Sequence, residues 1–571
     1  MIGYVCKYTP VEVLCALDAD PVRVEPTTTN FDRADTCMHP NVCSFAKAVL
    51  EDMEVKDYEG MVLTTCCDSI RRLYDTLRLR YPDKFFYLLD VPRKVDDHAI
   101  DLYAARIFDL IDTYRAFSGH AFRADCLVDL LVRQDAEARL RKVDGRQVPL
   151  RIGLVGARYS AGITRLLQDN ATEVAFDLTC IGQKRNLGKG LSGAGGEMDD
   201  KRLIRGYAAQ LLGQLSCMRM VDATDREAFL RRHAEEVDGI IYHTVKFCDN
   251  FGYEYALLHA ESDFALLKVE TDATRQCEGQ IRTRVEAFVE SLKAAKGIGV
   301  VTTDKTYDKD GTMYVMGIDS GSTSTNAVIL DGDKKIVAHE VVRTGAKASL
   351  SAQRALEGVL AKAGLGRVDL SLIVSTGYGR VSVDFADIDV TEISCHGKGA
   401  WYFNPAIRTI LDIGGQDSKA IRLDETGEVV DFAMNDKCAA GTGRFLEAMA
   451  RTLEVDIAEL GPLSFESHEE VEISSMCTVF AESEVITLIA NNTEKADIAQ
   501  GVHSAIAGKS YSLLRRVGPE PGYMMTGGVA KNPGVVRALE KRLGTAVYIC
   551  PEPEIVGAVG AALFGFDSFD K

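Results

Sequence analysis

At 571 residues the chain is too long for one hydrophobic core, and we expect three or four domains. The composition, 46% hydrophobic and 26% charged, is typical of globular proteins. The net charge of −18 argues against a broad nucleic-acid surface, and no apolar run approaches the roughly 20 residues of a membrane span. We therefore expect neither a nucleic-acid partner nor a membrane.

The chain has 15 cysteines. Its first residues, MIGYVCKYTPVEVLCALDAD, have no basic stretch and carry acidic residues early, so we expect no secretory signal and a cytoplasmic location. Disulfides are rare in that reducing compartment. Metal ligation or thiol chemistry is therefore the leading interpretation for some cysteines, with buried packing as the alternative for each.

The first part of the chain, residues 1–305, alternates short apolar runs with helical patterns. The strand-like runs are GYVCKY, MVLTTC, FFYLLDV, RIGLVG, DGIIYHTV and DFALLKVE. This alternation predicts βαβ units on parallel sheets, arranged in two lobes. A polar segment at 306–313 is predicted to be a linker, and residues 314–571 to form a second α/β part.

Three glycine-rich turns follow apolar strands in the second part: GIDSGSTST (317–325), DIGGQD (412–417) and TGGVAKN (526–532). Turns of this kind can direct N–H and O–H groups at phosphate oxygens, and a carboxylate at the strand end can hold Mg²⁺ or its water shell. The expected catalytic residues are Asp319, Asp412 and Gln416. The expected nucleotide-binding residues are Gly317, Ser320, Gly321, Ser322, Thr323, Gly414, Gly415, Gly441, Gly443, Gly527, Gly528 and Asn532.

The three turns resemble the phosphate and adenosine motifs of the actin, sugar-kinase and heat-shock ATPase superfamily. With STGYGR (375–380), EISCHGKGA (392–400), NDKCAAGTGRFLE (435–447) and SSMCTVFAESEVI (474–486), they resemble the activator ATPases of 2-hydroxyacyl-CoA dehydratases and benzoyl-CoA reductases. The resemblance implies duplicated domains that clamp ATP or ADP. It also implies a homodimer in which Cys438 and Cys477 of each chain hold one shared 4Fe-4S cluster. One departure is Asn326, where that family often has lysine.

The first part resembles the small-subunit type of 2-hydroxyacyl-CoA dehydratase through YTPVEVLCALDADPVRV (8–24), MHPNVCSFAKAVLE (38–51), TTCCDSIRRLYDTL (64–77) and DGIIYHTVKFCDNFGYE (238–254). The resemblance implies that Cys43, Cys67 and Cys248 hold a 4Fe-4S cluster. Double-cubane relatives need six thiolates, for which Cys126, Cys180 and Cys217 are candidates, with packing as the alternative. We expect the adjacent Cys66 not to share that cluster. The cysteines interpreted as structural are Cys6, Cys15, Cys37, Cys277, Cys395 and Cys550.

Together these features predict ATP-dependent, low-potential electron transfer from the shared cluster to the N-terminal one, which reduces a small substrate or activates a 2-hydroxyacyl-CoA dehydration. The expected partners are a flavodoxin or ferredoxin donor and a small molecule, with an acyl-CoA as one candidate. The alternatives are an ATP-gated electron-transfer protein without its own substrate, and a sugar-kinase-like phosphotransferase.

Overall fold

The computed structural model describes residues 1–140, 149–158, 161–180, 182, 187, 199–261, 264–274, 278–300, 313–435, 439–473 and 478–569, with only the backbone at 138–140, 161, 261 and 278. The chain divides into two compact units, Met1–Val285 and Glu286–Lys571. The predicted linker at 306–313 lies outside the described residues, except for Met313.

Unit 1, Met1–Val285, contains two four-stranded sheets. The strands of the first are β1 (Ile2–Tyr4), β2 (Pro21–Arg23), β3 (Gly60–Thr64) and β4 (Phe85–Leu89). The strands of the second are β5 (Leu150–Gly156), β6 (Thr172–Thr179), β7 (Gly239–Val245) and β8 (Leu266–Thr271). The orders are β2-β1-β3-β4 and β6-β5-β7-β8, and every pairing is parallel. This confirms the fold class expected from the sequence.

Helices connect the parallel strands of unit 1, as crossover connections require. They are α1 (Val11–Ala16), α2 (Ala34–Cys37), α3 (Ser44–Val55), α4 (Asp68–Arg80), α5 (Asp97–Ser118), α6 (Ala124–Leu140), α7 (Ala161–Asp169), α8 (Asp200–Leu212), α9 (Thr224–His233) and α10 (Asp249–Glu261). Helix α11 (Glu278–Ala295) follows β8 and continues into unit 2. All of β3 and β7 is buried, because helices cover both faces of such sheets.

Unit 2, Glu286–Lys571, contains two copies of one five-stranded sheet. The first copy contains β9 (Val315–Ser320), β10 (Ser324–Leu330), β11 (Ile336–Arg343), β12 (Leu372–Thr376) and β13 (Ile388–Asp389). The second contains β14 (Thr409–Ile413), β15 (Ser418–Leu423), β16 (Val429–Asn435), β17 (Tyr523–Thr526) and β18 (Val547–Tyr548). The orders, β11-β10-β9-β12-β13 and β16-β15-β14-β17-β18, are equivalent, as are the directions of the pairings.

The helices of unit 2 pack on these sheets: α12 (Ala348–Ala363), α13 (Glu392–Phe403), α14 (Gly443–Leu453), α15 (Ile457–Leu463), α16 (Thr478–Ala490), α17 (Lys495–Leu514), α18 (Pro533–Leu543) and α19 (Val556–Asp567). The glycine- and alanine-rich α19 lies against β9 and α13 with nearly all its side chains buried, because small residues allow close approach. Across the described ranges, no helix is long and apolar enough to span a membrane.

Candidate functional site

The first candidate site lies at the end of β9 in unit 2. Asp319 is only 8% exposed, and burial, together with the nearby carboxylates of Glu392 and Asp412, raises the pKa of Asp319 to about 8. Asp319 is paired in register with Asn326 on β10 and Thr376 on β12. A strand end therefore carries a buried acid flanked by an amide and a hydroxyl.

Four buried polar atoms around Asp319 have no hydrogen-bond partner in the described part of the chain. They are Ser320 Oγ, Thr323 Oγ1, Asn326 Oδ1 and Thr376 Oγ1. Buried polar atoms are nearly always hydrogen-bonded, so a group of unpaired ones indicates a position for a polar ligand. The other amide atom of Asn326, Nδ2, donates 2.9 Å to the carbonyl of Glu554.

The equivalent position in the second half is the end of β14. Asp412 Oδ1 accepts from Thr526 Oγ1 at 2.9 Å, and Asp412 Oδ2 accepts from Lys419 Nζ at 3.2 Å. Lys419 also lies 2.8 Å from Asp417 and 3.6 Å from Glu392. Although burial alone raises the pKa of Asp412, His396 and Lys419 hold it below its ordinary value. Lys419 thus supplies the positive charge of this half.

His396 on α13 lies between the two strand-end acids. Its Nε2 is 3.8 Å from Asp319 Oδ2, and its Nδ1 is 3.7 Å from Asp412 Oδ1. Burial lowers the pKa of His396, which favours the neutral ring at neutral pH. One imidazole therefore links a carboxyl whose pKa is raised to one whose pKa is lowered. His396 is not among the site residues predicted from the sequence, although it lies in the EISCHGKGA motif.

The backbone of the second glycine turn touches the side chain of Thr323 in the first turn. A Cβ on Gly415 would overlap Thr323 Oγ1, so no side chain fits there. Gly443 N donates 2.9 Å to Gly414 O, and a Cβ on Gly443 would lie 3.2 Å from the Cα of Gly415. The first turn, the second turn and the start of α14 therefore meet, and we call this meeting point the cradle. There is no room for a side chain on Gly415, so the groups that can bind a ligand there are mainly backbone N–H donors.

Three more predicted glycines lie in neighbouring turns. Gly527 has φ 82° and a Cβ on it would lie 2.9 Å from Asp412 Oδ1, which is why glycine is required. Gly528 begins the turn after β17, with Glu554 Oε1 at 3.5 Å from an added Cβ. Gly441, just before α14, also has a positive φ, of 85°.

The remaining predicted residues lie differently. Gly321 and the exposed Ser322 form the first turn, and the exposed Gln416 forms the second. Gly317 lies inside β9 against the backbone of α19, where a Cβ would overlap Ala558 O, so packing explains this glycine. Asn532 caps α18 by accepting from Gly534 N and Val535 N, so helix capping explains this asparagine.

The second candidate site lies in unit 1, at the carboxyl ends of parallel strands. Cys6 follows β1, Cys66 and Cys67 follow β3, Cys180 follows β6 and Cys248 follows β7. Ligand sites of open parallel sheets form at this edge. Two further thiols complete what we call the cysteine group: Cys43, which precedes α3, and Cys217, which follows α8.

Thiol-to-thiol hydrogen bonds join members of the cysteine group in pairs. Cys43 donates to Cys248, which raises the pKa of Cys43 and lowers that of Cys248. Both thiols also interact electrostatically with Cys67. The structure thus brings together the three cysteines predicted as one ligand set.

The other pair is Cys180 and Cys217. The bond from Cys180 raises its own pKa and lowers that of Cys217 to about 5, which Lys7 also lowers. Cys180 interacts electrostatically with Cys248 and Cys6 as well. Two of the three candidates for a second cubane therefore lie with the first set.

A third set of hydrogen-bonded thiols links Cys67 to two cysteines that were not predicted as ligands, Cys6 and Cys66. Cys6 donates to Cys66, and this bond and burial raise the pKa of Cys6. Cys66 in turn donates to Cys67, which lowers the pKa of Cys67. Cys6 and Cys66, expected to be structural or left aside, are thus part of the group. One feature of the sequence could have indicated this, because both cysteines follow strands whose carboxyl ends lie at the same sheet edge.

Cys126, the third candidate for a second cubane, lies in a different place. It is on α6, its electrostatic neighbour is Cys15, and Arg123 Nη2 donates to its sulfur at 3.7 Å. Cys6 and Cys66 contact other members of the cysteine group in its place. In the expected set of six cysteines, Cys126 is therefore replaced by Cys6 or Cys66.

Two cations, the half-buried Lys7 and the buried Arg226, lie beside the cysteine group. Lys7 donates 2.5 Å to Leu215 O and interacts electrostatically with Cys217, Cys180 and Cys6. Arg226, paired with Glu254 at 2.5 Å, helps to lower the pKa of Cys217. These two cations favour the thiolate of Cys217 over its thiol.

Three of the predicted or assigned cysteines, Cys277, Cys438 and Cys477, lie outside the described residues. Within the ranges that are described, no three His, Cys, Asp or Glu side chains are grouped as ligands of a single metal ion. Both ring nitrogens of His243 are hydrogen-bonded, to Ala157 O at 3.3 Å and to Thr271 Oγ1 at 3.0 Å, so neither is available to bind a metal.

The two equivalent sheets give unit 2 the duplicated architecture of the actin and sugar-kinase-like fold. Residues 316–565 match the BadF/BadG/BcrA/BcrD ATPase family. Residues 6–143 and 131–292 match the 2-hydroxyglutaryl-CoA dehydratase D-component family. The chain belongs to both families, as a D-component segment followed by an activator-type ATPase segment, which confirms the two resemblances.

Individual relatives match one part or the other. The activator of lactoyl-CoA dehydratase from Anaerotignum propionicum is 51% identical over 259 residues, 45% of this chain and 100% of that protein. The (R)-phenyllactyl-CoA dehydratase beta subunit from Clostridium sporogenes is 22% identical over 349 residues, 51% of this chain and 91% of that protein. A solved structure, the activator of the 2-hydroxyisocaproyl-CoA dehydratase from Clostridium difficile with bound ADPNP, is 46% identical with a TM-score of 0.44 and covers 45% of this chain and 96% of that one.

Proposed function

We propose that this chain couples ATP hydrolysis in unit 2 to low-potential electron transfer that ends at the cysteine group of unit 1, where a small substrate is reduced or a 2-hydroxyacyl-CoA dehydration is activated. The observation that carries this proposal is the seven-thiol cysteine group on the same chain as an activator-type ATPase. A phosphotransferase of the same fold has no need of such a group.

The ATP-binding part of the proposal rests on the cradle. Backbone donors of the turns at Thr323 and Gly415 would bind the phosphates, and the unpaired hydroxyls would complete their coordination. Asp319 and Asp412 would hold Mg²⁺ or its water shell, which takes one or two carboxylates plus phosphates. Lys419 would balance the charge of the acids as the nucleotide turns over.

The donor set of unit 1 fits an iron–sulfur cluster. A multi-iron cluster is held by thiolates on different iron atoms, so its ligands need not converge on one ion. Cys43, Cys67 and Cys248 would hold a 4Fe-4S cluster. With Cys180, Cys217 and either Cys6 or Cys66, the group reaches the six thiolates of a double cubane. When bound, such a cluster supplies one-electron transfer at low potential.

We further propose a homodimer in which Cys438 and Cys477 of both chains hold a shared 4Fe-4S cluster. Helix α16, which begins directly after Cys477, supports a subunit contact there. Its apolar side chains Val479, Phe480 and Ile486 are 66%, 69% and 54% exposed. Exposed apolar side chains on one helix indicate a protein partner, and a second copy would bring the second pair of thiols.

The external partners follow from the chemistry. A cluster near a subunit contact needs an electron donor, for which a flavodoxin or ferredoxin is the appropriate class. Relatives of both segments are named for acyl-CoA dehydratase systems, which makes an acyl-CoA the first substrate class to test.

Anaerobic purification with iron and sulfide counted per chain tests the proposal. We expect about six irons for one N-terminal cubane plus half of the shared cluster, or about ten for the double cubane. Cys438→Ala should remove the shared cluster and uncouple ATP hydrolysis from reduction, while Cys37→Ala is the matched control. A colourless, iron-free wild-type protein would contradict the proposal. Intact clusters with ATP hydrolysis but no reduction of any acyl-CoA would favour the ATP-gated carrier.

A further inference from the structure

Arg158 is a buried cation beside the cysteine group. It lies two residues after β5, the strand between β6 and β7, so it shares the sheet edge that carries Cys180 and Cys248. The side chain is 9% exposed. Arg158 interacts electrostatically with Cys180. The fold therefore brings a guanidinium to the place where unit 1 gathers its thiols.

Both terminal nitrogens of this guanidinium, Nη1 and Nη2, have no hydrogen-bond partner in the described ranges. Glu25 lies close enough to interact electrostatically but accepts no hydrogen bond from Arg158, and Arg23 opposes the charge. Two other buried arginines of unit 1 have partners. Arg219 donates to the carbonyls of Val91 and Pro92, and Arg226 to Glu254.

Aromatic stacking orients the free end of Arg158. Its Cζ lies 4.5 Å from the ring centroid of Phe45, two residues after Cys43. A guanidinium over an aromatic face keeps its N–H edge free to donate. Burial lowers the pKa of Arg158 to about 10, so the side chain is still charged at neutral pH. The guanidinium is thus held in place by Phe45 while its Nη1 and Nη2 groups remain available to donate hydrogen bonds.

We propose that Arg158 binds an oxyanion group, carboxylate or phosphate, of the small substrate that reacts at the cysteine group. This inference rests on the proposed function and specifies the substrate as an anion. The two parallel N–H donors of a guanidinium match the two oxygens of a carboxylate or phosphate. A buried charge left unpaired is costly, and a bound anion removes that cost.

Anion binding to the full chain, purified without oxygen, tests this assignment. Titration calorimetry with sodium acetate and, separately, with inorganic phosphate distinguishes the two oxyanions, at ionic strength matched with chloride. Saturating Mg-ADP is present throughout, so that the cradle of unit 2 is occupied. The variants are Arg158→Gln, which removes the charge, and Arg158→Lys, which keeps the charge but removes the fork. Arg205→Gln, an exposed arginine of the same unit, is the matched control.

We expect saturable binding of one of the two anions. Its Kd should rise at least about tenfold in R158Q, which corresponds to about 1.4 kcal/mol, with a smaller rise in R158K and none in R205Q. Equal affinity in wild type and R158Q, or no saturable binding of either anion, would overturn the inference. Loss of iron from R158Q with anion affinity unchanged would also overturn it, because the guanidinium would then serve the thiol-bound metal.

Anion affinity and iron content are measured on the same preparations, so failures of the two proposals can be told apart. An iron-free wild type that binds the anion through Arg158 contradicts the proposed function alone. If R158Q does not fold, as circular dichroism would report, R158K alone must show the weakened binding.

Discussion

Gly415 and Thr323 lie in the two glycine-rich turns of unit 2, and the backbone of the first is in contact with the side chain of the second. A methyl group on Gly415 has no room beside Thr323 Oγ1. The two turns can therefore approach this closely only while residue 415 has no side chain, so a substitution at this residue would change the width of the cradle.

Gly415→Ala should reduce the affinity for Mg-ADP at least about tenfold, because the added methyl separates the turns and weakens several phosphate contacts together. Calorimetric titration with Mg-ADP measures the effect. Gly252→Ala, a helix position where an added Cβ meets nothing, is the matched control and should bind normally. Unchanged affinity in G415A would show that the nucleotide phosphates lie elsewhere.

Asp412→Asn should lower the kcat of ATP hydrolysis at least about 100-fold, because the amide cannot hold Mg²⁺ or orient water as the carboxylate does. Steady-state phosphate release measures kcat, and Mg-ADP titration shows whether the site still forms. Asp333→Asn, an exposed turn residue, is the control. A kcat within about threefold of wild type would remove Asp412 from the chemistry.

Cys43→Ala and Cys126→Ala should have opposite outcomes, because Cys43 belongs to the cysteine group and Cys126 lies beside Cys15. We expect C43A to lose most of the iron of unit 1 and to retain ATP hydrolysis. C126A should keep the wild-type iron content. Equal loss of iron in both variants would show that Cys126 is a ligand, contrary to its position in the structure.

His503 on α17 should make unit 2 less stable in acid. Both ring nitrogens lack a hydrogen-bond partner in the described chain, and burial lowers the pKa of His503 from 6.5 to about 4. Between these values only the unfolded state takes up the proton, so this contribution to stability is complete above pH 6.5 and is lost as pH falls toward 4. At pH 5 the loss is about 2 kcal/mol.

His503→Gln removes the titrating group, so the stability difference between variant and wild type should move in favour of the variant by that amount from pH 7 to pH 5. Urea unfolding at both pH values measures it. His98→Gln, an exposed position in unit 1, should leave the pH dependence of the unit 2 transition unchanged. Parallel pH curves for wild type and H503Q would contradict the expectation.

Both the fold class and the family could be predicted from the sequence, because each depends on short-range signals. GMVLT and GIIYHTV are continuous apolar runs, as parallel strands buried on both faces require, and the structure contains them as β3 and β7. Turn glycines such as Gly415 and Gly527 were also accessible, since strand–glycine–glycine patterns are local.

The site residues that escaped prediction depend on distant parts of the chain. Cys6 joins Cys66 only because β1 and β3 are neighbours in the sheet, and no spacing in the sequence shows this. His396 reaches Asp319 and Asp412 from a helix between the two repeats. The same reason applies to Cys126, a candidate ligand from the sequence that the fold places on α6 beside Cys15.

The repeat in unit 2 has one further consequence. Asp319 and Asp412 occupy matching strand ends, and their neighbours across the antiparallel pairing are Asn326 in one copy and Lys419 in the other. The strand order is thus the same in both copies while the charge differs, since Lys419 of the second copy interacts electrostatically with both aspartates. A ligand bound between the two aspartates would face an amide at one strand end and an ammonium group at the other, so one side-chain difference gives the duplicated scaffold a direction.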